Sequence, residues 1–186
     1  MRMKLSTLSE CPPESTLEWA VFTSSVGEVL VACLPQGICH LSLHESLDLK
    51  QAEFVLRSQW GAMKLKESPQ LATKIAPLFA KALVGDDFNQ TPICLIGSDF
   101  QIKVWKTLAQ SQFGETLSYK SLGLRAGFSE RHSRAVGTAV SANSVAVLIP
   151  CHRVRPASGE WGGFRWGVEI KKQLIHQERI CNVERL

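Results

Sequence analysis

The apolar positions fall into two patterns that change over near residue 97. Trp19–Ser24, Gly27–Leu34 and Gly37–Leu43 are runs rich in Val, Ile, Leu and Phe, punctuated by Ser-Ser-Val-Gly and Pro-Gln-Gly. Short runs of this kind between turn residues predict a three-strand antiparallel meander. Leu47–Trp60 then carries Ala52, Val55 and Leu56 at helical spacing. Ser68 followed by Pro69 suits an N-cap and the first helical position. The helix they open is expected to run to about Val84, with a bend or break at Pro77. Residues 85–97 read as a connecting segment. The expected division is therefore 1–97, including that linker, and 98–186.

Beyond the linker the spacing is mostly helical. Ser98 or Asp99 caps a helix with Phe100, Val104 and Leu108 at i, i+4 and i+8, which stops near Gly114. Ser118 caps Tyr119–Ala126, and Ser129 caps Glu130–Ala142, which ends at Asn143. A continuous apolar run, Val145–Ile149, leads into Pro150, and a last helix covers about Val168–Arg179.

The pair of short helices joined by Ala126-Gly127-Phe128-Ser129 fits a helix-turn-helix. Leu122, Ala126, Phe128, Ser133 and Val136 take the inward-facing positions, and Gly123 sits where the helices approach closely. The second helix carries Ala135, Thr138, Ala139 and Ala142 at i, i+3, i+4 and i+7, a stripe of small side chains. Such a stripe fits either a neighbouring helix or the walls of a narrow DNA groove. Arg134 stands at its start. An ordinary helical hairpin would show much of the same pattern.

Charge sharpens this picture. The 186 residues carry a net +4. Residues 1–97 hold eight Lys/Arg against ten Asp/Glu, whereas 98–186 hold thirteen against seven, a local +6. A basic half suits a polyanion such as nucleic acid, and also suits a plain solvated face. With 45% hydrophobic and 20% charged residues, the chain is neither a disordered polar tract nor a coiled coil. It has no apolar run of spanning length. The first residues lack the apolar core of a secretory signal, so an intracellular, cytoplasmic protein is expected, nucleoid-associated in a bacterium or nuclear in a eukaryote. Its six cysteines, at 11, 33, 39, 94, 151 and 181, form no C-x-x-C pair, and a disulfide framework is not expected. Cys33, Cys39, His40 and His44 could be read as metal ligands, but they flank a turn between apolar runs, where structural roles fit better.

Ile149-Pro150-Cys151-His152-Arg153-Val154 carries the chemistry. A thiolate attacks where a thiol hardly does. His152, Arg153 and Arg155 all lie within four residues of Cys151. On an extended segment adjacent side chains point apart, so His152 would act on Cys151 through a water. Glu178 on the terminal helix is a candidate to orient the imidazole.

With FQIKVWKTL, FGETLSYKSL, SRAVGTAVSAN, VLIPCHRV and FRWGVEIKKQL, the chain resembles the O6-alkylguanine-DNA alkyltransferases, or methylated-DNA–protein-cysteine methyltransferases, over Phe100–Glu178. The Phe164–Val168 run is most like the bacterial branch. The resemblance implies an α+β fold. Its N-terminal part would be a ribonuclease-H-like small antiparallel sheet with helices. Its C-terminal part would be a mostly helical, winged-helix-like domain with the helix-turn-helix. It implies Cys151 as alkyl acceptor, His152 as base through water and Glu178 as its holder. Tyr119 would rotate the nucleotide and donate a proton, Arg134 would be the finger replacing the flipped base, and Asn143 the hinge. The stripe Ala135, Thr138, Ala139 and Ala142 would enter the DNA minor groove. Val154, Arg165 and Trp166 would line a pocket tighter than the eukaryotic one, which has Ser-Gly where Arg165-Trp166 stand here. The partner implied is duplex DNA containing O6-alkylguanine, with O4-alkylthymine as a further implied substrate. A monomer acting once, with no cofactor, no zinc requirement and no membrane contact, is expected. Three other functions share part of the pattern. A DNA-binding thiol sensor would not need Tyr119, Arg134, Asn143 and Glu178 together. Alkyltransferase-like lesion binders lack the cysteine present here. A cysteine hydrolase has no use for the basic half.

Overall fold

A computed structural model describes residues 4–10, 15–61, 63–86 and 91–183. Cys11 and residues 87–90 of the expected linker lie outside them. The chain divides into two compact units. One runs to Lys81 and takes in the segment that ends at Gly97, and the other contains Ser98 onward with the last turn of the preceding helix.

The first unit is built on the expected meander. Strands β2 (Thr16–Ser24), β3 (Gly27–Leu34) and β4 (Gly37–His44) pair antiparallel. They form only the middle of a six-stranded mixed sheet. With β1 (Leu5–Leu8), β5 (Lys64–Glu67) and β6 (Ile93–Ile96), its order is β1-β6-β4-β3-β2-β5. The pairs β1–β6, β4–β6 and β2–β5 are parallel, so the sheet is neither small nor purely antiparallel. The expected connecting segment 85–97 therefore contains a strand. Ile93, Cys94 and Leu95 are all buried, as a parallel strand inside a sheet requires. Four residues are too few to show a period, which is why the strand reads as linker.

Helix α1 (Leu49–Trp60) is opened by a reciprocal capping box between Asp48 and Gln51. Helix α2 (Pro69–Leu83) begins at Pro69 as expected, but it runs through Pro77 unbroken. Its buried face, with Leu71, Ile75, Phe79 and Ala82, secures it by tertiary packing against the loss of one backbone donor. Cys39 joins a core cluster with Leu17, Trp19, Leu30, Ala52 and Leu56. His40 and His44 are engaged with Ser42, at 2.9 and 2.8 Å, and the Trp60 indole N–H donates to His40 Nδ1.

In the second unit Ser98 and Gln101 form another capping box for α3 (Asp99–Leu108). The helix ends at Leu108, not near Gly114, because tighter turns close on Thr107 and Leu108. Ser118 caps α4 (Tyr119–Arg125). A 3₁₀ turn over Glu130–His132 precedes α5 (Ser133–Ser141). Ser129 makes no side-chain cap there, and its hydroxyl bonds His132 Nδ1 at 2.9 Å. Leu122, Ala126 and Val136 are buried between α4 and α5. A Cβ on Gly123 would lie 3.2 Å from Val136 Cγ2, the close approach that the glycine permits. A short parallel pair, β7 (Leu117–Ser118) with β8 (Val154–Arg155), and α6 (Val168–Val183) complete the unit. No helix among the described residues is long and apolar enough to cross a membrane.

Candidate active site

Cys151 follows a loop with no regular structure, although its residues are almost all apolar. Two tight turns explain this. Leu148 N–H donates to Ala146 O across Val147, and Cys151 N–H donates to Ile149 O across Pro150, each at 2.7 Å. The ψ of +63° at Pro150 is that of an inverse γ-turn. Val147 has φ +65°, a strained conformation for a β-branched residue. Asn143 holds the loop on both sides of that strain. Its Oδ1 accepts from Val145 N–H at 3.0 Å, and its Nδ2 donates to Val145 O at 3.3 Å and Ile149 O at 3.0 Å. The same Nδ2 reaches Cys151 Sγ at 3.2 Å. Burying Val145, Ala146, Leu148 and Ile149 stabilises a backbone that the sequence alone would not choose.

The segment Cys151–Arg153 is a 3₁₀ turn, not extended as expected. His152 is buried, and its Nε2 lies 2.7 Å from Glu178 Oε1. A carboxylate only accepts, so Nε2 carries the proton. Nδ1 is then an acceptor, buried and, among the described residues, without a hydrogen-bond partner. Glu178 also receives Arg153 Nε and Nη2 and the Gly114 N–H. Arg153 Nη1 is spent on the carbonyl and hydroxyl of Ser111.

Burial opposes ionisation of Glu178, but the His152 hydrogen bond and the Arg153 guanidinium outweigh it and hold the carboxyl at about 2. Burial lowers His152 despite Glu178, so the imidazole rests neutral. Burial also pushes the Cys151 thiol up to about 11, against the pull of Asn143, nearby backbone dipoles and the Lys171 ammonium. The neighbours Arg153 and Arg155 thus do not make a resting thiolate. Arg155 is turned to the Gly159 and Glu160 carbonyls and lies 4.4 Å over the Trp161 ring. The cation whose charge pulls on Cys151 is Lys171, twenty residues on.

Cys151 lines a cavity of about 20 Å³ with Tyr119, Val140, Ser141, Asn143, Lys171 and Gly163–Trp166. Tyr119 arrives there because Ser118, the last residue of β7, pairs with Arg155 in β8. Its phenol is half-buried, and burial and the Cys151 charge both raise its pKa. Arg165 and Trp166 line the cavity. Val154 does not: it is fully buried, and its carbonyl instead accepts from Lys171. Phe164 lines the cavity too, from the run that resembles the bacterial branch, and so does Lys171, which the sequence does not mark as a site residue. An interior helix lysine carries no local signal, since only the fold buries it.

Arg134, Ala135 and Thr138 are exposed on α5, and Ala142 is half-buried. Ala139 departs from the expected stripe. It is buried, and its carbonyl takes the Trp105 indole N–H at 2.8 Å, which ties α3 to α5. Ala135, Thr138 and Ala139 border a shallow concavity of about 330 Å³ with Ser98, Phe100 and Gln101.

A family model described as "6-O-methylguanine DNA methyltransferase, DNA binding domain" matches residues 99–180. A methylated-DNA–protein-cysteine methyltransferase of Candida albicans is 33% identical over 89% of this chain and 98% of its own length. One from Methanosarcina barkeri is 32% identical over 85% and 94%. Among solved structures, that of Mycobacterium tuberculosis OGT in complex with DNA superposes with a TM-score of 0.72, at 26% identity, over 88% of this chain and 94% of that one.

Proposed function

This chain belongs to the methylated-DNA–protein-cysteine methyltransferases, which repair DNA by alkyl transfer to a cysteine, and from that premise we propose how its residues perform the transfer. The acceptor is Cys151. The observation that carries this reading is a buried thiol sharing one small cavity with Tyr119 and Asn143, next to a neutral, carboxylate-anchored His152 with an acceptor Nδ1.

The alkylated oxygen of O6-alkylguanine lies inside the duplex, so the nucleotide is flipped out at a cost of a few kcal/mol. The exposed stripe of α5, with Ala135, Thr138 and Ala142, enters the minor groove, flanked by Ala139, and Arg134 fills the gap left in the stack. Asn143 is the hinge between α5 and the acceptor loop. A cavity of about 20 Å³ holds about one water, so Gly163–Trp166 move aside as the base enters.

His152 takes the Sγ proton through a water onto Nδ1, and Glu178 holds the imidazole and stabilises its charge. The sulfur then attacks the alkyl carbon. An S–C bond forms, the C–O6 bond breaks, and its electron pair stays on guanine. Tyr119, kept protonated by its raised pKa, delivers a proton to guanine N3. The product is a thioether with no route back, so each molecule acts once. O4-alkylthymine is a second substrate of the same chemistry, and no cofactor takes part. The protein acts as a monomer. The finer fold reading belongs here too. The meander flanked by parallel strands supports a ribonuclease-H-like N-terminal unit, and α4–α5 with the β7–β8 pair supports a winged-helix-like C-terminal one.

Duplex DNA with isotopically labelled O6-methylguanine tests the proposal. One label per protein, on the peptide containing Cys151 and absent in Cys151→Ser, is expected. Label elsewhere, or sustained turnover, overturns it.

A further inference from the structure

Lys171 stands in the interior, with no counter-charge among the described residues. The residue is 1% exposed, and among the described residues no carboxylate lies within ion-pair distance of its ammonium. Two carbonyls hold it: Val154 O at 2.8 Å and Gly163 O at 3.3 Å. An ammonium has three donors, so one N–H remains. Lys171 lines the cavity that Cys151 lines. A lone buried cation is costly unless a charge or dipole answers it. The two carbonyl dipoles answer part of it, and the first anion to form in that cavity during the transfer is Cys151 when it loses its proton.

We propose that Lys171 is a positioning residue of the transfer: its ammonium is the counter-cation of the Cys151 thiolate, and by gripping Gly163 it ties the cavity's covering segment to β8. This rests on Cys151 being the acceptor. It gives the covering segment a second task, since opening it to admit a base loosens the Gly163 contact and frees Lys171 donors toward the sulfur. The other ionisable groups at the site cannot take that place. His152 is neutral and pledged to Glu178, Arg153 is bound to Glu178 and Ser111, and Arg155 is bound to carbonyls and Trp161. Tyr119 is a neutral phenol at rest. Arg165, at the cavity edge, is exposed to solvent, where its charge is screened. Lys171 itself is drawn down to about 8 by burial, against the opposing pull of Cys151. The pair is thus reciprocally linked.

The test is the pH profile of single-turnover repair by the full chain, since Lys171 is charged only below about pH 8. Lys171→Met, which keeps the stem and removes the charge, should slow repair about tenfold at pH 7, a tenfold loss of thiolate. Lys171→Arg should bring the rate back toward the wild type. The wild-type rate should level off as pH rises through about 8, where the lysine loses its charge, and Lys171→Met should close the gap at higher pH. A rate unmoved at pH 7 in Lys171→Met, or lowered equally in Lys171→Arg, overturns the proposal. If Lys171→Met does not fold, the wild-type profile decides: a rate that climbs through about pH 8 without levelling overturns the pairing. Failure of label transfer to wild-type Cys151 would instead overturn the acceptor assignment, whatever these profiles give.

Discussion

Glu178 is the buried carboxylate on which His152 and Arg153 converge. It anchors His152, neutralises Arg153 and receives the Gly114 N–H. Its folded carboxyl titrates at about 2, well below the ordinary value of about 4.3 in an unfolded chain. A depressed carboxyl contributes stability above the unfolded value and loses it as pH falls through the folded one. The window is therefore about pH 4.5 down to about 2, and the contribution is on the order of 3 kcal/mol. His152 acts in the same sense but earlier. Its folded value lies below the unfolded 6.5, so acidification through 6.5 also destabilises the fold. Glu178→Gln leaves the Arg153 charge buried without its partner. It should cost about 3 kcal/mol at pH 7 in urea denaturation and flatten the stability curve between pH 4.5 and 2. An unchanged acid limb would contradict the assignment of that limb to Glu178.

At the scale of elements, the glycine that opens β4 decides whether the middle of the sheet can form. Gly37 has φ +138°, and a Cβ there would fall on the Pro92 carbonyl, whose oxygen accepts the Ile38 N–H just before β6 begins. Both obstacles are backbone, so nothing cheap can yield. Gly37→Ala should cost at least about 2 kcal/mol in thermal or urea unfolding. Gly123→Ala meets only the Val136 side chain, which can shift, and should cost less. The legibility of elements followed their length. The meander strands, with eight or nine residues and clear turns, could be read directly. The four-residue strands β1, β5 and β6 could not, because their partners come from distant parts of the chain. Pro77 misled for a related reason: propensity argues for a break, and packing overrides it.

For the whole molecule, the decisive quantity is the space at the proposed acceptor, Cys151. The chain's basic half meets a polyanion through long-range charge, but a cavity of about 20 Å³ admits no free base without rearrangement. On the proposed docking of α5, duplex contacts would supply binding energy for that rearrangement, and a free base would lack them. O6-Benzylguanine should therefore inactivate this protein slowly, while duplex O6-methylguanine is repaired quickly. Competition between the two for Cys151 measures the difference. Rapid inactivation by the free base at low micromolar concentration would show that Arg165 and Trp166 do not restrict the pocket.

The chemical elements of the site were legible along the chain because they are adjacent or capped locally: Cys151 with His152, Ser118 before Tyr119, and the helix pair around Gly127. Propensity, capping and spacing act over a few residues, and they suffice for that. The fold alone decided the protonation states and the true neighbours of the sulfur. Desolvation depends on what packs around a group from all sides, so Cys151 rests as a thiol despite the arginines beside it. Those arginines are claimed by Glu178, Ser111 and Trp161, and α6 brings in Lys171 from twenty residues away. Charge in an interior belongs to whatever three-dimensional packing sets against it, and order along the chain does not carry that information.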